Sequence, residues 1–194
     1  MKKIMFNDKN GLTQAVLEGR KTQTRRIIPK DFFSLTWDKR DDTLVYENSM
    51  GDFIDIRNSK YALCKAGEIV AVAQSYRDCG GVNEEGIPMW EIISSKVGGT
   101  NAGWSNKMFV RAELMPHYVI ITAVSVERLR DISDVDCMAE GIDYYEQEGF
   151  SWCSTEKLFD TPREAYAALI DKVSGKGTWE RNPYVFVYDF ELVK

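Results

Sequence analysis

Gly19-Arg20-Lys21-Thr22-Gln23-Thr24-Arg25-Arg26 is a stretch of eight residues that carries four cations, two threonine hydroxyls and one amide. It follows an amphipathic helix, which Gly19 can end because glycine adopts the left-handed backbone conformation at low cost. The residues after Gly19 are therefore predicted to form a cationic loop or the start of a strand, where side chains can contact a ligand. A solvated basic turn is the alternative, because most clustered charges face water.

The side chains of this stretch suit an anion or an electron-rich base. Lys21, Arg25 and Arg26 can donate charge-assisted hydrogen bonds to such a ligand. Thr24 can donate a hydrogen bond, or it can act as a nucleophile if Lys21 serves as its base. The residue types alone leave binding and catalysis open.

The spacing of the stretch is Gly-x-Lys-x-x-Thr-x-Arg, filled by Gly19, Lys21, Thr24 and Arg26. This pattern resembles the signature of the ASCH domain, a branch of the PUA-like superfamily. Further segments resemble that family in the same order along nearly the whole chain, in the longer form seen in phage and prophage proteins. These segments are residues 15–19, 65–72, 119–133, 139–141 and 182–191.

Strands of differing spacing with three helices between them predict a mixed α+β fold. The family resemblance implies more, namely a PUA-like pseudo-barrel of mixed strands flanked by about three helices. It also implies one domain over residues 1–194, with insertions at about 31–62 and 79–106. A single domain is the expectation for a chain of 194 residues.

Composition limits the classes of function. Hydrophobic residues make up 44% of the chain and charged residues 28%, which is typical of a globular protein. The net charge of −5 disfavours a general nucleic-acid coat but leaves room for a local basic pocket. No membrane span is expected, and the basic start of the chain lacks the apolar segment of a signal peptide.

Cysteine and histidine usage predicts no metal site and no cofactor. The four cysteines show no CxxC spacing, and His117 is the one histidine of the chain. Scattered free thiols fit a reducing compartment, so we expect a cytoplasmic protein.

Periodicity and capping signals predict the main elements. Asp8 or Asn10 is expected to cap the first helix, and the glycine-rich stretch 79–106 is expected to be a ligand-covering loop. A hairpin is predicted from strands 36–38 and 43–46, with its turn at 39–42. Further strands are expected at 52–57, 69–73, 118–129 and 184–193, and a helix is expected to begin at 161.

Ser133 is predicted to cap a short helix that runs to Glu140 and stops at Gly141. A carboxylate at the end of a helix is disfavoured by the helix dipole unless a cation lies nearby. The cations of residues 19–26 are the expected partners of Glu140.

The family resemblance implies an amidohydrolase as one candidate function, because some ASCH proteins remove the acyl group from N-acetylated cytidine. Carried over by motif, the catalytic residues are Lys21, Thr24 and Glu140. Burial and the neighbouring Arg25 and Arg26 could lower the pKa of Lys21 so that it serves as a base. A nearby Glu140 would favour the charged lysine instead.

A binding module for RNA or a modified base is the second candidate. Arg25 and Arg26 would contact the ligand, and Gln74 stands where longer family members often have a glutamate. An amide can read a base edge, and Tyr76 or Trp104 could stack on the base. The third candidate is a phage accessory protein with a vestigial cleft and an unknown phage or host partner. Three tryptophans would then contact the partner, or would otherwise belong to the local core: Trp37, Trp90 and Trp152.

Overall fold

A computed structural model describes residues 1–29, 35–39, 43–48, 50–80, 85–98, 101–145, 148–153 and 157–193. The strands of these residues are β1 (Lys3–Ile4), β2 (Gln23–Ile27), β3 (Leu35–Asp38), β4 (Thr43–Glu47), β5 (Phe53–Asp55), β6 (Ile69–Val72), β7 (Tyr118–Arg128), β8 (Asp143–Tyr145), β9 (Gly149–Ser151) and β10 (Tyr184–Val193). The α-helices are α1 (Leu12–Leu17), α2 (Met89–Val97), α3 (Asp134–Ala139), α4 (Pro162–Ser174) and α5 (Thr178–Arg181).

The main sheet has five strands in the order β1-β6-β7-β10-β2. Only the β1–β6 pair is parallel, so the sheet is mixed. Within the described residues, β1 and β2 lie at its two edges and no strand pairing closes it into a barrel. The mixed α+β class is confirmed.

Two smaller sheets accompany the main sheet. The predicted hairpin forms between β3 and β4, and β5 extends it to three antiparallel strands. Residues 40–42 of its predicted turn lie outside the described residues. The strand predicted at 52–57 is shorter than expected, because Ile56–Asn58 form a 3-10 turn that the Asp55 carboxylate caps. Strands β8 and β9 form a two-stranded hairpin.

The core has two parts. The main core lies between the five-stranded sheet and helices α1, α3 and α4, and residues of β10, an inner strand between β7 and β2, are buried on both of its faces. A second core packs around Tyr76, between the end of β6 and helix α2. The second core includes Tyr76, which was expected to contact a ligand, and Cys79 and Ile93 from the stretch that was expected to cover one.

Three predictions about local structure were wrong. The N-cap of α1 is Gly11 in the left-handed conformation (φ 69°), because the Asp8 carboxylate instead accepts a hydrogen bond from Thr13. The stretch 79–106 contains helix α2, whose nine residues lack glycine and proline and bury Ile93. The described residues therefore hold five α-helices rather than about three.

None of the helices in the described part of the chain has the length and apolar character needed to span a membrane.

The tryptophans differ in environment. Trp152 is buried and stacks on Phe159, which makes it a core residue. Trp37 stacks on Tyr184, and Trp90 is half exposed on α2. Contact of these two tryptophans with a partner stays a prediction.

Candidate functional site

A cleft of about 270 Å³ lies between the start of β2, the end of α3 and one face of α4. We call it the Lys21 cleft, because Lys21 and Glu140 form a buried charged pair within it. Phe6 and Leu12 from the region of α1 also line it. The volume is near the lower end of the range for ligand pockets, about 300–1,000 Å³, which suits a small ligand.

Backbone hydrogen bonds fix the loop that carries Lys21. Gly19 ends the first helix in the left-handed conformation (φ 75°), as predicted. The Lys21 amide then donates to the carbonyl of Ala15 at 3.0 Å, and the Thr22 amide donates to the carbonyl of Ala139 at 2.9 Å. The loop is therefore held between α1 and α3, which directs the Lys21 side chain inward.

The ammonium nitrogen of Lys21 has three acceptors around it. Nζ lies 2.8 Å from the carbonyl oxygen of Gln23, 2.8 Å from the carbonyl oxygen of Glu140 and 2.5 Å from Glu140 Oε2. The Lys21 side chain is only 1% exposed and that of Glu140 6%. Three N–H donors and three acceptors match, so the ion pair is fully satisfied.

The same geometry also accommodates the neutral pair. If the proton moves to the Glu140 carboxylate, the amine keeps two N–H donors for the two carbonyls, and its lone pair accepts from the carboxylic acid. Burial lowers the pKa of Lys21, and the negative charge of Glu140 opposes that shift. The pair can therefore hold a mobile proton between two buried groups.

Helix α3 places Glu140 at this position. Ser133 caps the helix by accepting a hydrogen bond from the Asp136 amide, as the sequence predicted. Gly141 follows in a positive-φ conformation (φ 99°), which turns the chain immediately after Glu140. The predicted cation next to this helix end is present, because both Lys21 and Arg25 contact the carboxylate of Glu140.

Arg25 connects Glu140 to other carboxylates. Its Nη1 lies 3.3 Å from Glu140 Oε1, its Nε lies 2.7 Å from Glu127 Oε1, and its Nη2 lies 3.6 Å from Asp136 Oδ2. Nη1 also donates to the side-chain oxygen of Gln23. With its side chain 1% exposed, Arg25 is placed to orient Glu140 more than to reach a ligand.

Thr24 and Arg26 line the Lys21 cleft from strand β2. Thr24 is 4% exposed, and among the described residues no hydrogen bond holds its hydroxyl. Arg26 donates from Nη2 to the carbonyl of Met5 at 2.5 Å, and its guanidinium lies 5.8 Å from the centre of the Phe6 ring. Its Nε is buried without a hydrogen-bond partner.

The other three predicted ligand contacts do not line this cleft. Gln74 is 7% exposed, donates to the carbonyl of Asp78 and lines a separate pocket beside Thr13. Tyr76 is fully buried, and its hydroxyl accepts from the Arg111 amide at 2.9 Å. Stacking of a base on Tyr76 was a wrong prediction, because no face of its ring is free. Trp104 packs against the second core.

Tyr166 is a residue of the Lys21 cleft that the sequence did not single out. It lies on helix α4, it is 2% exposed, and its hydroxyl has no hydrogen-bond partner among the described residues. Burial is the main reason that the pKa of Tyr166 is raised well above its ordinary value, so the hydroxyl keeps its proton. The sequence shows Tyr166 only as part of an apolar helix face. The one signal in the sequence was a tyrosine on a buried helix face, because the hydroxyl of a buried tyrosine usually needs a hydrogen-bond partner.

Metal-binding groups are not assembled in the described part of the chain, where no cluster of three or more histidine, cysteine or acidic residues could hold an ion. The four cysteines are free thiols, and Cys64, Cys79 and Cys137 are buried. The chemistry available in the cleft is therefore that of an amine, carboxylate, hydroxyls and guanidinium groups.

Comparison with known proteins gives little beyond this geometry. No family model matches the chain. No curated protein matches it. The crystal structure of protein EF3133 from Enterococcus faecalis V583, described with the family-model label DUF984, aligns over 100% of this chain and 80% of its own. The identity is 14% and the TM-score is 0.41. The site is accordingly interpreted from its own residues.

Proposed function

We propose that this chain is a long ASCH-type member of the PUA-like superfamily, and that it hydrolyses the acyl amide of an N-acylated cytidine. The observation that carries the proposal is the buried pair of Lys21 and Glu140 in a cleft that Thr24 also lines. In this proposal the five-stranded sheet is the PUA-like pseudo-barrel. The protein would work in the cytoplasm, where its four thiols stay reduced.

The first chemical step forms an ester on Thr24. With the shared proton on Glu140, the lone pair of neutral Lys21 turns from the Glu140 acid to the Thr24 hydroxyl and accepts its proton, and Oγ1 bonds to the acyl carbon. The π electrons of the carbonyl move onto its oxygen and then return as the C–N bond breaks. The exocyclic nitrogen of cytosine leaves with a proton that the Lys21–Glu140 pair supplies.

The second step uses water. A water molecule gives a proton to Lys21 and bonds to the acyl carbon of the ester, and the C–O bond to Thr24 breaks as its oxygen takes a proton. The net reaction consumes one water and releases a carboxylic acid and cytidine. Transfer of the proton within the pair leaves both Lys21 and Glu140 hydrogen-bonded in the observed geometry.

The size and charge of the cleft support a nucleoside as the ligand. A cavity of about 270 Å³ suits a small molecule better than a length of RNA chain. Its ionisable lining comprises Lys21, Arg25 and Arg26 against Glu140, with neutral Tyr166. This excess of cations favours a ligand rich in carbonyl oxygens, such as a pyrimidine.

A module that binds a base without chemistry is the second candidate. The observation that favours it is that all three acceptors around Lys21 Nζ belong to the protein, so the charged amine is fully hydrogen-bonded without a substrate. In that case the same cleft would recognise a nucleoside or an unpaired RNA base through Arg26 and its other donors.

Turnover separates the two candidates. Purified protein is incubated with N4-acetylcytidine, and release of cytidine is followed by chromatography. We expect release by the wild type, loss of release in Lys21→Ala and Thr24→Val, and unchanged release in Lys96→Ala, which alters an exposed lysine of α2. Absence of turnover at high enzyme concentration, together with saturable binding of cytidine, would instead establish the binding module.

A further inference from the structure

Within the part of the chain that the structure describes, the hydroxyl of Tyr166 has no hydrogen-bond partner although the residue is almost fully buried. Burying a hydroxyl without a partner is unfavourable, since the group gives up its hydrogen bonds to water. Phenylalanine would fill the same space without this cost. A tyrosine that keeps an unpaired hydroxyl beside a cleft is therefore a candidate for a group that a ligand completes.

Tyr166 is held rigidly by its surroundings. It lies on α4, the 13-residue helix that begins with the Thr161 cap and Pro162. Its ring packs edge-on against Trp179, with the two ring centres 6.2 Å apart. A side chain fixed by packing on a helix directs its polar atom without a further ordering cost when a ligand binds.

Besides the Thr24 hydroxyl, two further atoms of the Lys21 cleft make no hydrogen bond within the described residues, and both are donors. They are Nε of Arg26 and Nη2 of Arg25, which has only its 3.6 Å ion-pair contact with Asp136, and a guanidinium group cannot accept a hydrogen bond. The donors of Lys21 are already used by Gln23 and Glu140. A ligand that satisfies this cleft must therefore present acceptor oxygens to it.

We infer that Tyr166 donates its hydroxyl hydrogen bond to the acyl oxygen of the substrate, on which negative charge develops when Thr24 attacks. This inference rests on the proposed function and adds a residue to it. The phenol keeps its proton throughout: the π electrons of the carbonyl move onto the acyl oxygen, and the hydrogen bond from Tyr166 stabilises them there.

The test is the Tyr166→Phe variant, which removes only the hydroxyl. We expect kcat for N4-acetylcytidine to fall by about 10²–10³-fold, as for loss of one donor to a developing oxyanion, and KM to rise because the contact with the acyl oxygen of the bound substrate is lost as well. The midpoint of urea denaturation should stay the same or rise, because the lost hydroxyl has no partner in the protein. An unchanged kcat would overturn the inference.

A matched control is Tyr188→Phe. The hydroxyl of Tyr188 accepts a hydrogen bond from the Leu63 amide at 2.7 Å, so its removal should lower the denaturation midpoint and leave kcat unchanged. The two variants therefore separate a tyrosine that acts on the substrate from one that stabilises the fold. A fall in kcat of equal size in both variants would overturn the inference.

Measurements of ligand binding test this inference separately from the proposed hydrolysis. Calorimetric titration compares N4-acetylcytidine with cytidine, using Thr24→Val as background so that no substrate is consumed. Tyr166→Phe should weaken binding of the acylated nucleoside more than tenfold and that of cytidine much less. Equal effects on both ligands would overturn the contact with the acyl oxygen. Failure to bind either ligand would overturn the proposed function together with the ligand assigned to Tyr166.

Discussion

Lys21 Nζ lies 2.5 Å from Glu140 Oε2, and the two side chains are 1% and 6% exposed. The pair joins two segments that are 119 residues apart in the chain. Burial of two charges costs free energy, which this contact and the hydrogen bonds around it offset. The arrangement therefore matters to stability as well as to any chemistry in the cleft.

Removing one member of this pair should be more harmful than removing both. We expect Lys21→Met to lower the free energy of unfolding by about 3–5 kcal/mol, because it leaves the Glu140 carboxylate buried without its closest cation. The double variant Lys21→Met/Glu140→Gln should lose less than the sum of the two single variants. Urea denaturation of the four proteins measures this coupling, and strictly additive losses would contradict it.

Arg25 should not tolerate replacement by lysine. Its guanidinium contacts Glu127, Asp136 and Glu140 from three nitrogen atoms, and an ammonium group cannot reproduce this fork. We expect Arg25→Lys to lower the free energy of unfolding by about 1.5–3 kcal/mol, the cost of a lost hydrogen bond to a charged group.

The control for Arg25→Lys is Arg77→Lys. The Arg77 side chain is 65% exposed and makes only a 3.6 Å contact with Asp78, so its replacement should change the free energy of unfolding by less than about 0.5 kcal/mol. Similar losses in the two variants would show that the buried contacts of Arg25 contribute little.

Local signals explain the parts of the site that the sequence predicted well. Ser133 caps α3, Thr161 and Pro162 begin α4, and Gly19 ends the first helix, each through groups within a few residues of one another. The cation beside Glu140 was also predicted, because the dipole of α3 requires one. These features depend on neighbouring residues or on simple charge compensation.

Features that depend on distant packing could not be predicted. The apolar strand β6 gave no sign that Tyr76, just after it, enters a second core rather than a ligand site. Tyr166 has the spacing of an ordinary core residue, and its unpaired hydroxyl is visible only once α4 lies against the cleft. Helix α2 was obscured by the glycines on both sides of it.

Stability should fall as the pH rises above about 9. Burial raises the pKa of Cys64 and Cys79 to about 11, and that of Cys137 to about 12, from an ordinary value of 9.0. The unfolded chain then binds fewer protons than the native chain over this range, so the free energy of unfolding decreases with increasing pH. The lowered pKa of Lys21 has the opposite effect on the free energy of unfolding. It is a single group, whereas three thiols have raised pKa values.

The measurement for this pH dependence is urea denaturation at pH 8, 9, 10 and 11. The triple variant Cys64→Ala/Cys79→Ala/Cys137→Ala should show a shallower decline than the wild type, although its stability at pH 8 will be lower. Parallel curves for the two proteins would mean that other groups determine the alkaline loss of stability.

Gly103 should resist replacement by alanine, because a Cβ atom there would lie 2.6 Å from Cε2 of Tyr76 and 3.1 Å from the Phe109 carbonyl. The Tyr76 ring is fully buried and cannot move aside without disturbing the second core. We expect Gly103→Ala to lower the free energy of unfolding by about 1–3 kcal/mol, as overpacking does in other cores. Gly80→Ala is the control, since no atom of the described residues lies within 4 Å of its Cβ position. Equal stability of both variants in urea denaturation would show that the second core rearranges to accommodate the added methyl group.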